Sequence, residues 1–150
     1  WYRTANGRQA LYHGSFGTDW SLGIDFSSVG TSTIGIWASS NGTSWNLVNA
    51  DSGGNGIGSI VIPLNTWTHI AYVRNGTNWY SFVNGVRDRN LSGISGTVVN
   101  RTSSQKAIGA WFSVPAMATA SGYIADFRVT KGVARYTTNF SVPTQPYPQN

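Results

Sequence analysis

One run constrains this 150-residue chain more than any other: WTHIAYVRNGTNWYSFVNGVRD, from Trp67 to Asp88. Residues 67–74 and 79–83 are rich in aromatic and β-branched side chains, and each segment leads into an Asn-Gly pair, Asn75-Gly76 and Asn84-Gly85. Asn and Gly tolerate the positive φ angles that tight hairpin turns need. The run predicts two antiparallel strands joined by one such turn, with a second turn straight after.

Elsewhere Gly, Ser, Thr and Asn separate short apolar segments. Further strands are expected at 10–16, 20–26, 33–39, 45–49, 57–62, 106–112 and 123–130. A spacing of roughly 8–12 residues between such segments reads as an all-β sandwich. In 20–26 the side chains of Trp20, Leu22, Ile24 and Phe26 share one face, with Ser21, Gly23 and Asp25 on the other. Other strands are apolar on both faces: Ile34 and Ile36 oppose Trp37, and Trp67, Ala71 and Val73 oppose Ile70 and Tyr72. Such strands belong to a sheet covered on both sides, or to one with a face open to a ligand. The length fits one domain with a sizeable core.

Two stretches carry a family resemblance. The succession Trp67-Thr-His-Ile-Ala, Val73-Arg-Asn-Gly and Phe82-Val-Asn-Gly-Val resembles the central hairpin of the laminin G-like and concanavalin A-like lectin/glucanase families. The run YIADFRVTKGVARY (123–136), followed by Asn139-Phe140 and by Pro143, Pro146 and Pro148, resembles the ending of lectin-like modules in bacteriophage tail and other virion proteins. The resemblance implies an all-β, two-sheet antiparallel jelly-roll sandwich of concanavalin A-like type over 1–136. A proline-rich C-terminal tail, 137–150, then packs on the domain or leaves it. It also implies a strand segment preceding Trp1 in a longer polypeptide. The expected role is a non-enzymatic carbohydrate-binding or adhesion module of a virion or cell-surface protein, in a virion or extracellular setting. Its expected partners are a cell-surface glycan, other virion or surface-protein subunits, and further copies of itself. The alternative is a capsid or tail decoration, or a subunit-interaction domain, that binds no sugar.

Composition narrows the chemistry. The formal net charge is +5, but the ten basic residues are scattered. Only 87–89 and 131–135 gather more than one cation, so nucleic acid is not an expected partner. No apolar run approaches the roughly 20 residues that span a bilayer, so membrane insertion is not expected. With no cysteine and two histidines, a zinc site is not expected either. The superfamily's hydrolases use paired carboxylates, usually glutamates at alternate positions of one strand. This chain has no glutamate, and its aspartates (Asp19, Asp25, Asp51, Asp88, Asp126) are dispersed, each most simply ending or capping a strand. No catalytic residue is expected. His69, inside the hairpin motif, reads as a structural hydrogen-bonding residue.

Seven tryptophans and seven tyrosines are a heavy load for a chain of this size. Sugar rings present C–H faces that stack on aromatic rings, while amides and hydroxyls fix the sugar hydroxyls. Trp37, Trp45, Trp79 and Trp111 are the candidate platforms, because each lies near a polar loop or opposes its strand's aliphatic side chains. Trp20 and Trp67 read as core. The loops 39–45, 49–57 and 113–121 are the expected ligand-facing rim, with Asn49, Asp51 and Asn55 as polar partners. These three residues are also the best candidate for calcium. A single carboxylate makes a poor calcium site, so the reading favours an ion-free loop and no cofactor.

Overall fold

The computed structural model describes residues 1–14, 22–26, 32–51, 54–100, 106–111 and 119–147. Trp20, Asp19, positions 113–118 of the expected rim and the tail's last three residues lie outside the described residues. The described residues form nine strands and no helix. They are β1 (Tyr2–Arg3), β2 (Gln9–His13), β3 (Leu22–Phe26), β4 (Ile34–Ala38), β5 (Ile70–Asn75), β6 (Asn78–Val83), β7 (Val86–Leu91), β8 (Ala107–Ile108) and β9 (Gly122–Tyr123). Every pairing is antiparallel, in sheets ordered β4-β3-β2-β8, β5-β6-β7 and β1-β9.

The two larger sheets stack through one apolar layer. Leu11, Ile34, Ile62, Val83 and Trp1 form one core cluster, joined by Ile24, Ile70 and Tyr72. Ile36, Ala38, Leu47, Val48 and Trp79 form the other. Period-two alternation produces this directly: on β6, Trp79, Ser81 and Val83 turn inward, and Tyr80 and Phe82 turn to the opposite face. The result is an all-β antiparallel sandwich, the architecture expected from the hairpin and the strand spacing.

The hairpin forms with a one-residue refinement. Asn75 pairs with Asn78, so the first loop is Gly76-Thr77, with Gly76 at φ 61° in the first central position, as a type II′ turn requires. The second loop is Asn84-Gly85, both at positive φ (49° and 77°), a type I′ turn.

Four expected strands shorten, and of the described part of 106–112 only Ala107–Ile108 is strand. The segment 45–49 contributes a single bridge, Ala38 to Val48. The segment 57–62 follows the edge of β4 through Gly58 N–H to Ile34 O and Ile62 N–H to Ser32 O, at 2.8 Å each, with one bridge at Ile57. The segment 123–130 leaves the sheet after Tyr123. Its partner β1 has only two residues, and Asp126 takes a left-handed φ of 51° that ends the extended run. Conversely, β7 was not expected, because Arg87, Asp88, Arg89 and Asn90 carry no apolar alternation.

The polar sequence of β7 has a structural use. Across from it, Ser81 pairs with Arg89 and Phe82 with Arg87, so Asp88 is the extra residue of a β-bulge. Its carboxylate clamps the 57–62 segment. Oδ1 accepts from Ser59 N–H (2.7 Å), Ser59 Oγ (3.0 Å) and Ile60 N–H (2.8 Å), and Oδ2 accepts from Ser81 Oγ (3.3 Å). A Cβ on Gly58 would lie 2.1 Å from Oδ2, so glycine is required beside the clamp.

Tyr136, at the end of the domain, and the tail residues that follow it to Tyr147 fold back over the outer face of β5–β7. Tyr136 and Phe140 stack at 3.7 Å, and both meet Phe82 edge-on. Phe140 N–H donates to Gly85 O at 3.0 Å, and Arg87 N–H donates to Asn139 Oδ1 at 2.9 Å. The His69 ring lies edge-on to Tyr136 and Phe140, with Nε2 3.5 Å from Tyr147 Oη. The His69 backbone exchanges hydrogen bonds with Asn84. Burial holds the imidazole below its ordinary 6.5, and Arg128 pushes the same way.

Two predictions follow from these contacts. Asp88→Ala strands two backbone N–H groups and is expected to cost about 3 kcal/mol in urea denaturation. Gly58→Ala should also destabilise, and unchanged midpoints in both variants would rule out the clamp. For His69, a depressed folded-state pKa means the unfolded chain binds more protons in mild acid. Stability is then full above pH 6.5 and declines as pH falls toward the folded-state value. Thermal melts across that window should show the decline in the native chain and a flatter profile in His69→Phe.

Candidate functional site

The expected rim residues divide into two groups. Trp37, on the outer face of β4, lies in a row with Gly23 of β3 and His13 of β2, which are register neighbours. The glycines make this face flat enough for rings: a Cβ at Gly23 would lie 2.7 Å from the His13 ring, and one at Gly35 2.9 Å from Trp37. Trp111 stacks on His13 at 5.1 Å, and the Arg8 guanidinium lies 4.6 Å from the Trp111 centroid and 5.2 Å from that of Trp37. Trp37 is 1% exposed, and its Nε1–H donates to Asp51 Oδ1 at 3.2 Å. Trp79 is 6% exposed within the second core cluster, under Arg74. Neither Trp37 nor Trp79 offers a ring face to a ligand, which corrects their assignment as platforms. Trp111 is half-buried in the Arg8–His13 stack. Trp45 is half-buried in the 40–46 loop, which is closed by Asn41 and Asn46.

Asn49, Asp51 and Asn55 do come together. Asn49 Oδ1 accepts from Asp51 N–H (2.8 Å) and Asn55 Oδ1 from Asn49 N–H (3.1 Å), while Gly56 N–H donates to Asn49 O (2.8 Å). Both amide oxygens thus shape their own loop, and the one carboxylate is engaged by Trp37. Calcium takes roughly six to eight oxygens. This donor set does not fit it, and no cluster of three His, Cys, Asp or Glu occurs among the described residues.

A different surface is open. Tyr2 on β1 pairs with Tyr123 on β9 and makes an isolated bridge to Trp67, so three rings from three neighbouring chain segments line up on one face. Ring centroids are 5.6 Å apart for Tyr2–Trp67 and 5.9 Å for Tyr2–Tyr123. Trp67 is 54% and Tyr123 64% exposed. With Thr4 and Asn65 they line a broad, open groove of ≈ 430 Å³.

Alternation places these rings outside. Trp1 and Arg3, which flank Tyr2, are buried, as is Thr68 beside Trp67. Trp1 and Thr68 exchange backbone hydrogen bonds at 2.9 Å, which sets Trp67 facing out. Asn65, at φ 53°, donates its N–H to Arg3 O at 2.7 Å and holds the turn beside the groove. Gly122 has φ 133°, and a Cβ there would lie 1.9 Å from Tyr2 O, so only glycine lets β9 approach β1 this closely.

The expectation that Trp67 belongs to the core is therefore overturned. The readable signal was its parity: Ile70 and Tyr72 point into the core, and Trp67 lies on the opposite parity. Nothing in the sequence tied Tyr2 and Tyr123 to it, because their meeting depends on pairing between the two ends of the chain.

The profile of the laminin G-like family described as the concanavalin A-like lectin/glucanases superfamily matches residues 1–135, a span that contains every described strand and all three groove aromatics. No curated protein and no solved structure matches the chain. With nine-tenths of its length under that profile and an antiparallel sandwich as its fold, the chain belongs to the laminin G-like branch of the concanavalin A-like lectin/glucanases superfamily.

Proposed function

We propose that this domain is a non-enzymatic carbohydrate-binding module that holds a glycan on the Tyr2–Trp67–Tyr123 face. The observation that carries the reading is the exposure of Trp67 and Tyr123 in one aligned row. Large aromatic surfaces left in water mark interaction sites. Here they come with the amide of Asn65 and the hydroxyl of Thr4, a combination of apolar ring and polar handle that suits a pyranose. Against hydrolysis, Asp51 and Asp88 are engaged in structural hydrogen bonds, and the chain has no glutamate to pair with them.

The biological setting we propose is adhesion by a virion or cell-surface protein to a host glycan. The likeness of 123–140 to the ending of tail-protein modules supports it. A second reading, a subunit-contact domain, is favoured by the exposed apolar residues Phe127, Val129 and Val133 in that same stretch. Self-association in analytical ultracentrifugation, without glycan binding, would favour it.

Two tryptophan variants separate scaffold from site. Trp67→Ala should leave the melting profile nearly unchanged, since exposed positions usually shift stability by no more than about 0.5 kcal/mol. It should weaken glycan binding in calorimetry at least tenfold, a difference of about 1.4 kcal/mol. Trp37→Ala should cost about 3–5 kcal/mol of stability. Full glycan affinity in Trp67→Ala would refute the assignment.

A further inference from the structure

From the groove's geometry and its lack of charge we infer that its ligand is an internal stretch of a neutral, extended glycan chain, contacted over more than one sugar ring. The inference rests on the proposal that the groove binds glycan.

Two observations carry it. The first is the row itself. Tyr2 pairs with Tyr123 of β9 on one side and bridges to Trp67, outside the strands, on the other, so the outer rings are two pairing distances apart, about 10 Å. That is longer than one pyranose. A single terminal sugar would cover one ring and leave the others wet. The groove is also broad and open, which suits a chain passing through better than an end held in a socket.

The second is charge. The lining residues Tyr2, Thr4, Asn65, Trp67 and Tyr123 include no lysine, arginine, aspartate or glutamate. The net charge of +5 would ordinarily suggest an acidic glycan. Yet Arg3, the cation nearest in sequence, is turned under the sheet, where Nη1 donates to Asn6 Oδ1 and Nη2 to Ile62 O. Arg8 lies over Trp37 and Trp111, Arg89 donates to Asn55 O, and Arg128 lies over Tyr147. A carboxylate or sulfate in the groove would lose hydration without gaining a cation. Neutral hydroxyls suit Thr4 and Asn65, and the aromatic rings take the C–H faces.

An array of linear neutral and acidic oligosaccharides tests this with the whole 150-residue chain. Calorimetry of the best neutral hit, from one sugar to five, follows. The expected result is binding to neutral chains only, unchanged between low and high salt. Affinity should rise about three- to tenfold with each added sugar up to two or three and then level off, a step typical of one aromatic contact. Tyr123→Ala should remove the last step and keep the first. Preferential binding of acidic chains with affinity falling in salt would overturn the inference while the module reading stands, as would full affinity for a monosaccharide. Binding of no glycan by the native chain would overturn both.

Discussion

The Asp88 carboxylate is the interaction on which the rest of the structure depends. A bulge in β7 swings it inward, and it reaches the backbone of Ser59 and Ile60, more than twenty-five residues earlier. That fixes a segment with few ladder bonds of its own. Once fixed, the segment inserts Ile60 and Ile62 into the core and presents Ile62 O to the Arg3 guanidinium. Arg3 O in turn receives the Asn65 N–H. A run of directional bonds therefore leads from Asp88 through Ile62 and Arg3 to the strand that carries Tyr2. The Asp88 carboxylate thereby acts on the position of the groove.

The opposite face shows the same economy. The inner residues of β6 belong to the sandwich core, whereas Phe82 on its outer face needs a cover. The tail supplies it with Tyr136 and Phe140, and the Asn84-Gly85 turn is where the cover attaches. A Cβ on Gly85 would lie 2.0 Å from Phe140 O, so this glycine serves both the turn and the docking of the tail. His69 closes that aromatic cluster without a partner for Nδ1 among the described residues. Its uncharged state and the seating of the tail are therefore linked.

How much of this was legible depended on the range of the interaction. The hairpin, both its turns and the sandwich could be read, because Asn-Gly pairs and β-branched runs act locally. The shortening of 45–49, 57–62 and 123–130 could not, since each depends on a partner's length or on one left-handed residue such as Asp126. Strand β7 was hidden because its charged residues serve Asp88's clamp and not an apolar face. At the candidate site, Asn49, Asp51 and Asn55 lie together, with the amide oxygens bonded within their own loop and the carboxylate to Trp37. Trp37 and Trp79 looked available because parity opposed them to aliphatic neighbours. Their burial follows from glycines at 23 and 35 and from the second core cluster, which are matters of tertiary contact.

The groove's aromatics are held by backbone and not by burial. Tyr2, Trp67 and Tyr123 keep their row because Trp1 and Thr68 lock one side, while Gly122 lets β9 close on the other. With the backbone beneath them held, less of the contact energy goes into ordering the segments that carry these rings. That is a physical reason to place recognition on a short sheet edge and not on the long glycine-rich loops. The described loops at 40–46 and 49–56 bind themselves through Asn41, Asn46, Asn49 and Asn55. The edge, with its side chains already aligned and uncovered, has its contact surface left for something else.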